Sequence, residues 1–321
     1  MAFDLTCVAL LVEGIVGYPP PLFRAVSHPV VWMGKLISAL ESRLNRPTLP
    51  AARRKSNGVL TVIVLLACAM VPAALIEGVL RQFGLGFILA GILGSALIAQ
   101  RALYRYVAAV ATALETGGLE AGREAVSHIV GRDPQSLDVA GVTRGAIESL
   151  AENFSDGIVA PTVWMLVGGL AGGAGYKALN TADSMIGHRN PRYEAFGWAA
   201  ARLDDLVNLP ASRLSGLLIV AAAALLPGCD PKAAWVAMRR DAKHHRSPNA
   251  GWPEAAMAGA LGISIAGPRS YGGVLANAAY MGNGRRNIGA RDIRAALRLY
   301  VTADALMVGF ITLMALIIAL S

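Results

Sequence analysis

Five long apolar runs constrain this chain more than any other feature of its sequence. They are residues 59–76, 83–99, 158–175, 214–227 and 305–321. A helix needs about 20 apolar residues to cross the hydrocarbon core of a bilayer. Most of these runs are long enough, and 214–227 becomes so with the polar residues that precede it. The sequence therefore predicts four or five membrane-spanning helices.

The composition agrees with this prediction. Of the 321 residues, 55% are hydrophobic and 16% are charged, whereas an ordinary soluble domain carries about 25% charged residues. A shorter apolar segment, 5–17, is interrupted by Glu13 and begins beside an acid, Asp4, instead of the basic start of a signal peptide. We expect this segment to stay in the protein, and we predict an all-α, polytopic integral membrane protein with about four to six membrane segments.

The polar parts of the chain read as inserts in one helical membrane domain. They are about 18–57, 100–157, 177–206 and 228–301. Within the second insert, Gly131-Arg132-Asp133-Pro134 predicts a turn, because proline after Asp favours one. The run Gly168 to Gly175 contains five glycines, which suits close helix packing or a broken, re-entrant segment. We favour re-entry or a steep tilt that returns 177–206 to the side of 100–157.

The net charge of +8 is concentrated in basic clusters at 43–55, 239–246 and 285–298. The positive-inside rule would put all three in the cytoplasm. Nucleic acid is not an expected partner, because these clusters lack interleaved aromatic residues and flank membrane segments.

The stretch TRGAIESLAENFSDGIVAP, 143–161, is the first of three polar constellations. Arg144, Glu148, Glu152 and Asp156 recur every four residues and so share one helix face. An ordinary ion pair between Arg144 and Glu148 on a solvated face would explain part of this ridge. The alternative is that the carboxylates converge on a hard cation such as Mg²⁺, which prefers oxygen ligands.

The second constellation, 176–213, encloses acids and arginines between two apolar segments. Its aspartates are Asp183, Asp204 and Asp205, and its arginines are Arg189, Arg192, Arg202 and Arg213. Ionisable groups close to hydrocarbon usually face a cavity or a partner, and arginine and lysine suit phosphate oxygens. His188 is a candidate acid, base or substrate contact.

The third constellation is HHRSPNAGWPEAAMAGALG, 244–262. Ser247 to Gly251 reads as a turn, and Pro253-Glu254 as a helix start. A helix N-terminus in a polar cavity can bind an anion, although a purely structural turn would show the same residues. Across the chain there is no P-loop, nucleophile elbow or HExxH zinc helix.

Together these stretches resemble the CobD/CbiB family of cobalamin biosynthesis, the adenosylcobinamide-phosphate synthases. The resemblance rests on Gly131-Arg132-Asp133-Pro134 with Leu137-Asp138, on the three constellations and on HPVVWMGKLI, 28–37, in the family's order. Family members often carry an acid in an N-terminal GDP motif, where this chain has Gly17-Tyr18-Pro19. Glu13 lies nearby, and no N-terminal acid is assigned to the site.

The resemblance implies an acid–amine ligase that uses ATP and Mg²⁺. Its substrates would be the corrinoid (adenosyl)cobyric acid and (R)-1-amino-2-propanol phosphate, or the free aminoalcohol. It further implies a prokaryotic inner-membrane protein with a cytoplasm-facing site, in contact with the lipid bilayer and with other membrane proteins of cobalamin assembly. The alternatives are another Mg²⁺-dependent membrane transferase and a non-enzymatic corrinoid-handling partner, although neither paired-Asp motifs nor an internal repeat supports them.

We assign roles to the clustered polar residues as hypotheses. The candidate catalytic residues are Glu148, Glu152, Asp183 and His188. The candidate metal ligands are Glu148, Glu152, Asp156 and Asp183. The candidate substrate- and phosphate-binding residues are Arg144, Asn153, Lys177, Asn180, Arg189, Arg192, Arg202, Asp205 and Asn249.

Overall fold

The structure is a computed structural model that describes the chain except for residues 131–133, 268, 272–273 and 277–278. The turn predicted at Gly131-Arg132-Asp133 lies outside the described residues. Pro134 begins a short 3₁₀ helix, Pro134–Ser136.

The described residues are predominantly α-helical. The helices are α1 (Phe3–Ile15), α2 (Pro20–Val26), α3 (Pro29–Leu44), α4 (Ala51–Leu80), α5 (Gly86–Ser95), α6 (Gln100–Ser127), α7 (Val139–Phe154), α8 (Ala160–Ile186), α9 (Trp198–Val207), α10 (Leu209–Leu225), α11 (Pro231–Asp241), α12 (Gly251–Ala260) and α13 (Ala290–Leu320). Two antiparallel strand pairs are present: β1 (Ile265–Ala266) with β4 (Tyr280–Met281), and β2 (Arg269–Tyr271) with β3 (Val274–Ala276).

The prediction of a polytopic helical membrane protein is confirmed. Among the described residues, four helical stretches are long and apolar enough to cross a membrane: Ala51–Leu80, Gly86–Ser127, Val139–Ile186 and Ala290–Leu320. A bent pair, α9 with α10, would make a fifth. The second and third stretches each combine two neighbouring helices, α5 with α6 and α7 with α8.

The chain divides into two compact units. The first comprises Met1–Ala99, Ala160–Asn208 and Ile311–Ser321, and the second comprises Gln100–Val159 and Leu209–Phe310. Compact units of this kind can belong to one domain, so the expectation of a single membrane domain stays a prediction.

The core of the first unit forms where α3, α4, α8 and α9 meet. Ile37, Leu65, Leu179 and Phe196 are almost fully buried there. Gly58 permits this packing, because a Cβ at this position would overlap the backbone carbonyl of Phe196.

Helix α8 is broken inside the glycine run that the sequence analysis identified. Gly168 and Gly169 have non-helical backbone angles, and Gly169 has φ +60°. The N–H of Leu170, where the helix resumes, donates a 2.7 Å hydrogen bond to the Glu77 carboxylate. The break is therefore confirmed and has a protein partner, whereas re-entry of this segment stays a prediction.

The core of the second unit is built from helices α6, α7 and α10 to α13. Phe154 and Tyr300 are buried in edge-to-face contact, with ring centroids 5.5 Å apart. Helix α12 begins at Gly251, two residues before the predicted Pro253, and is buried along nearly its whole length.

The predicted acidic ridge does not continue as one α-helix. Helix α7 ends at Phe154, and Ser155–Val159 form a π-helical turn. A π turn contains more residues than an α turn, so the four-residue spacing no longer keeps Asp156 in line with Glu148 and Glu152. Uniform α-helical spacing was the wrong assumption for Asp156.

Candidate functional site

Glu148 is a buried carboxylate with a backbone partner. Only 6% of the residue is exposed, and its Oε1 accepts a 2.7 Å hydrogen bond from the N–H of Ala266. The solvated-face interpretation is therefore wrong for Glu148. Arg144 lies 3.9 Å from the Asp138 carboxylate, and Asp138 also caps the N-terminus of α7.

The rest of the ridge is more accessible. Glu152 and Asn153 are exposed, and Asp156 is half-buried. The Asn153 amide donates a 2.9 Å hydrogen bond to the backbone oxygen of Ser149. Glu152 is thus the ridge carboxylate best placed to meet a ligand from solution.

Two carboxylates fix the two ends of the segment between β1 and β4. Glu148 holds Ala266, and Asp241 accepts a 2.8 Å hydrogen bond from the N–H of Gly282. Burial raises the pKa of Asp241, but hydrogen bonds from Arg240 and Gly282 outweigh it, so the pKa lies below its ordinary value. Asp241 was not among the residues selected from the sequence. The pattern that could have indicated it is an acid directly after the two basic residues Arg239 and Arg240.

Asn249 joins the second and third constellations within the second unit. Its Oδ1 accepts hydrogen bonds from Arg213, at 2.8 Å, and from the Ser212 hydroxyl, at 3.1 Å. The Arg213 guanidinium also lies over the Trp252 ring, 4.7 Å from its centroid. Asn249 is 5% exposed, so it orients Arg213 in a largely dry environment.

A buried hydrogen-bond network lies between α8 and α9 in the first unit. The Asp204 carboxylate accepts hydrogen bonds from the amides of Asn208, at 2.9 Å, and Asn180, at 3.5 Å. The Tyr176 hydroxyl donates a 2.8 Å hydrogen bond to Asn208. Asp204 and Asn208 were not among the predicted site residues, although their four-residue spacing on a helix was visible in the sequence.

Further charged groups surround this network. Asp183 and Asp205 both interact electrostatically with Asp204. Asp183 also interacts electrostatically with His188, and Asp205 interacts electrostatically with Arg189 and Arg202. His188, Arg189 and Arg202 are exposed. The first unit thus brings together three acids and three cationic or titratable groups that the sequence placed in one segment.

Lys177 lies on the same helix as Asp183 and close to His28. Burial, and then the charge of Lys177, lower the pKa of His28 below its ordinary value. His28 also caps α3, because its Nδ1 accepts a hydrogen bond from the N–H of Val30. His28 is a site neighbour that the sequence analysis did not select.

The Arg192 side chain has a structural partner. Its Nε and Nη2 donate to the two oxygens of Glu41, both at 3.0 Å. This hydrogen bonding, with burial opposing it, lowers the pKa of Glu41 and raises that of Arg192. Arg192 can therefore offer phosphate only the part of its guanidinium that Glu41 leaves accessible.

Comparison with known proteins identifies the family. The model of the CobD/Cbib protein family matches residues 6–300. The chain belongs to the CobD/CbiB family. It is 49% identical over 316 residues to "Cobalamin biosynthesis protein CobD" of Sinorhizobium sp, with 98% of each chain covered. A protein of the same name from Brucella suis biovar 1 is 49% identical, with 95% of this chain and 94% of the relative covered. Another, from Rhodobacter capsulatus, is 46% identical, with 98% of each chain covered.

No solved structure matches this CobD/CbiB chain. Its family membership makes it a biosynthetic membrane enzyme of the cobalamin pathway. The residues assigned from the sequence divide between the units of this family member. Lys177, Asn180, Asp183, His188, Arg189, Arg192, Arg202 and Asp205 lie in the first unit, and Arg144, Glu148, Glu152, Asn153, Asp156 and Asn249 lie in the second.

The described part of this CobD/CbiB chain contains no group of three His, Cys, Asp or Glu side chains able to hold a metal ion. Mg²⁺ is usually held by one or two protein carboxylates together with phosphate oxygens and water. Asp183 and Asp205, which lie close enough to interact, have the chemistry for such a partial site. The four-carboxylate set of Glu148, Glu152, Asp156 and Asp183 stays a prediction.

Proposed function

We propose that the chain joins (adenosyl)cobyric acid to (R)-1-amino-2-propanol phosphate, or to the free aminoalcohol, in an ATP-dependent amide ligation. The observation that carries the proposal is the pair of acids Asp183 and Asp205, with Arg189 and Arg202 beside Asp205, in a CobD/CbiB family member. Such a cluster provides cations for phosphate and carboxylates for a divalent ion within one unit.

The reaction needs an activated carboxyl group. Transfer of the terminal ATP phosphoryl group to the corrinoid propionate would give an acyl phosphate and ADP. The neutral amine then attacks the acyl carbon, the amide bond forms, and inorganic phosphate leaves. Bound Mg²⁺ would neutralise the phosphate charge during both transfers.

The protein groups would bind the substrates and accept a proton. Lys177, Arg189 and Arg202 would contact phosphate oxygens, because charge-assisted hydrogen bonds to phosphate are strong. Asp183 and Asp205 would hold Mg²⁺, and His188 would accept the proton that the attacking amine loses. Asn180, held by Asp204, would orient substrate from a fixed position within the first unit. The substrate roles assigned to Asn249 and Glu152, in the second unit, stay predictions.

We place the reaction on the cytoplasmic side of a prokaryotic inner membrane. The supporting argument is the basic cluster at 43–55, at the N-terminal end of the span α4, since basic residues favour the cytoplasmic side. The ion pair of Arg192 with Glu41 lies near this cluster, because the guanidinium of Arg54 donates a hydrogen bond to the backbone oxygen of Arg192. Other membrane proteins of cobalamin assembly would be partners there.

The test is direct synthesis by the full chain in lipid nanodiscs. The protein is incubated with ATP, Mg²⁺, cobyric acid and aminopropanol phosphate, and the corrinoid is examined by mass spectrometry. We expect the amide product, its loss without ATP or with EDTA, and its near-complete loss in Asp183→Asn. Glu194→Gln, an exposed change in the segment between α8 and α9, is the matched control. Absence of product from well-folded protein with every substrate present would overturn the proposal.

A further inference from the structure

The first unit contains a large apolar cavity that the proposed ligation does not use. Its volume is about 670 Å³, and α1 to α5 and α8 line it. All of the lining residues belong to the first unit.

One wall of the cavity lies along the apolar part of the candidate membrane span α4. This wall consists of Leu65, Cys68, Ala69, Pro72, Ala73 and Ile76, which recur at helical spacing. All six lie within 59–76, a run without a charged side chain, on a helix long and apolar enough to span a membrane. A second wall, from the end of α5 and the two residues that follow it, also lies in an uncharged run. Its members are Ile92, Leu93, Ser95, Ala96 and Leu97.

The lining offers almost nothing to water. Three lining side chains have N–H or O–H groups, and each already donates to a backbone oxygen. The Ser95 hydroxyl donates to Ile92, and the two aromatic groups, the Tyr18 hydroxyl and the Trp32 indole N–H, donate to Ser27 and Val26. Their rings therefore add apolar surface. Apolar cavities do not hold ordered water, so this lining favours an apolar occupant.

The rim of the cavity is accessible from outside the protein. Val16, Leu22, Val26 and Trp32 line it and are 56%, 44%, 47% and 52% exposed. Exposed apolar side chains of a membrane protein favour contact with lipid over water. This apolar rim would let hydrocarbon enter the cavity.

We propose that this cavity binds one acyl chain of a bilayer phospholipid. The occupant follows from its uncharged lining, its position along a membrane-spanning helix and its exposed apolar rim. The headgroup stays in the interface, so recognition depends on the chain and not on the head.

The experiment uses the full chain in nanodiscs of phosphatidylethanolamine and phosphatidylglycerol. These contain a phosphatidylglycerol probe with a photoreactive diazirine in the middle of one acyl chain. After irradiation, mass spectrometry maps the labelled residues. We expect labelling several-fold higher at the six α4 residues of the cavity wall than at Ile63, Leu75 and Val79, which are exposed on the same helix but do not line the cavity. The six are Leu65, Cys68, Ala69, Pro72, Ala73 and Ile76.

Matched variants separate the cavity from the general lipid surface. Ala73→Leu fills the cavity from a buried lining position, whereas Ala74→Leu adds the same atoms at an exposed position outside it. We expect Ala73→Leu to lower cavity labelling several-fold and Ala74→Leu to leave it unchanged. Ala96→Leu, a second lining position on the other wall, replaces Ala73→Leu if that variant does not fold.

Two results would overturn the proposal. One is even labelling around α4 with no response to Ala73→Leu or Ala96→Leu. The other is displacement of the bound chain by cobyric acid, because it would assign the cavity to the corrinoid substrate. Neither result depends on ligase activity, so failure here is distinguishable from failure of the proposed function.

Discussion

Glu41 on α3 and Arg192, between α8 and α9, form a bidentate ion pair with both N···O distances at 3.0 Å. The Glu41 side chain is 10% exposed and the Arg192 side chain 66% exposed. Asn45 extends the contact, because its amide donates to both Glu41 and the Arg192 backbone. This pair closes the connection between α8 and α9 against α3.

This ion pair predicts a pH-dependent stability. The pKa of Glu41 is lowered in the folded protein, chiefly by the hydrogen bond from Arg192. The ion pair therefore stabilises the fold fully above the ordinary glutamate pKa of about 4.3. This stabilisation is lost as the pH falls through the lowered pKa. We expect Glu41→Gln to cost about 1 kcal/mol at neutral pH, because the arginine is mostly exposed. Thermal unfolding from neutral pH downwards should show the difference from wild type vanish in acid. A constant difference at every pH would contradict this role, and Glu194→Gln is the control.

The break in α8 predicts opposite outcomes for two adjacent glycines. Gly169→Ala forces a side chain into φ +60° and overlaps the Glu77 carboxylate, so we expect a loss of about 1–3 kcal/mol in the free energy of unfolding. Gly168→Ala meets nothing within 4 Å and has negative φ, and should be nearly neutral. Thermal unfolding of both variants in one detergent makes the comparison. Equal destabilisation would show that the break is not held by Glu77.

The contact between Glu148 and Ala266 predicts separable structural and chemical effects. Glu148→Ala removes the acceptor of a buried N–H, which costs about 1–3 kcal/mol. Glu148→Gln keeps an acceptor oxygen and loses the charge, so stability should be largely kept while amide synthesis falls if the charge serves catalysis. Unfolding and product formation are measured on both variants. Wild-type turnover by Glu148→Gln would assign Glu148 a structural role alone.

Asn249 is predicted to act through Arg213. Asn249→Ala removes an acceptor from the half-buried guanidinium, and we expect a loss of about 1–3 kcal/mol in stability and a raised KM for the phosphorylated substrate. Asn249→Asp retains the acceptor and should recover most of the stability. Unfolding and steady-state kinetics of the two variants test this, and equal destabilisation by both would exclude the Arg213 contact as the cause.

Some features were predictable because they depend on local sequence. The runs 59–76 and 305–321 became parts of α4 and α13, since uncharged residues over about 20 positions satisfy both a helix and a bilayer. A broken segment was one of the two interpretations of the glycine run, and the break lies at Gly168-Gly169 because glycine adopts positive φ at little cost.

The side-chain partners were not predictable in this way. Glu148 pairs with Ala266, 118 positions away, and Glu41 pairs with Arg192, 151 positions away. No periodicity within a helix records such contacts. Asp156 left the predicted ridge because a π turn interrupts α-helical spacing.

The sequence by itself determined a helical membrane protein and, through its ordered motifs, the CobD/CbiB family. Only the tertiary structure decided which acids are buried and bonded to backbone, as Glu148 and Asp241 are, and which stay exposed, as Glu152 does. The reason is physical. Hydrophobicity and backbone preference act between near neighbours in the chain, whereas burial of a charge depends on partners that folding brings together from distant segments.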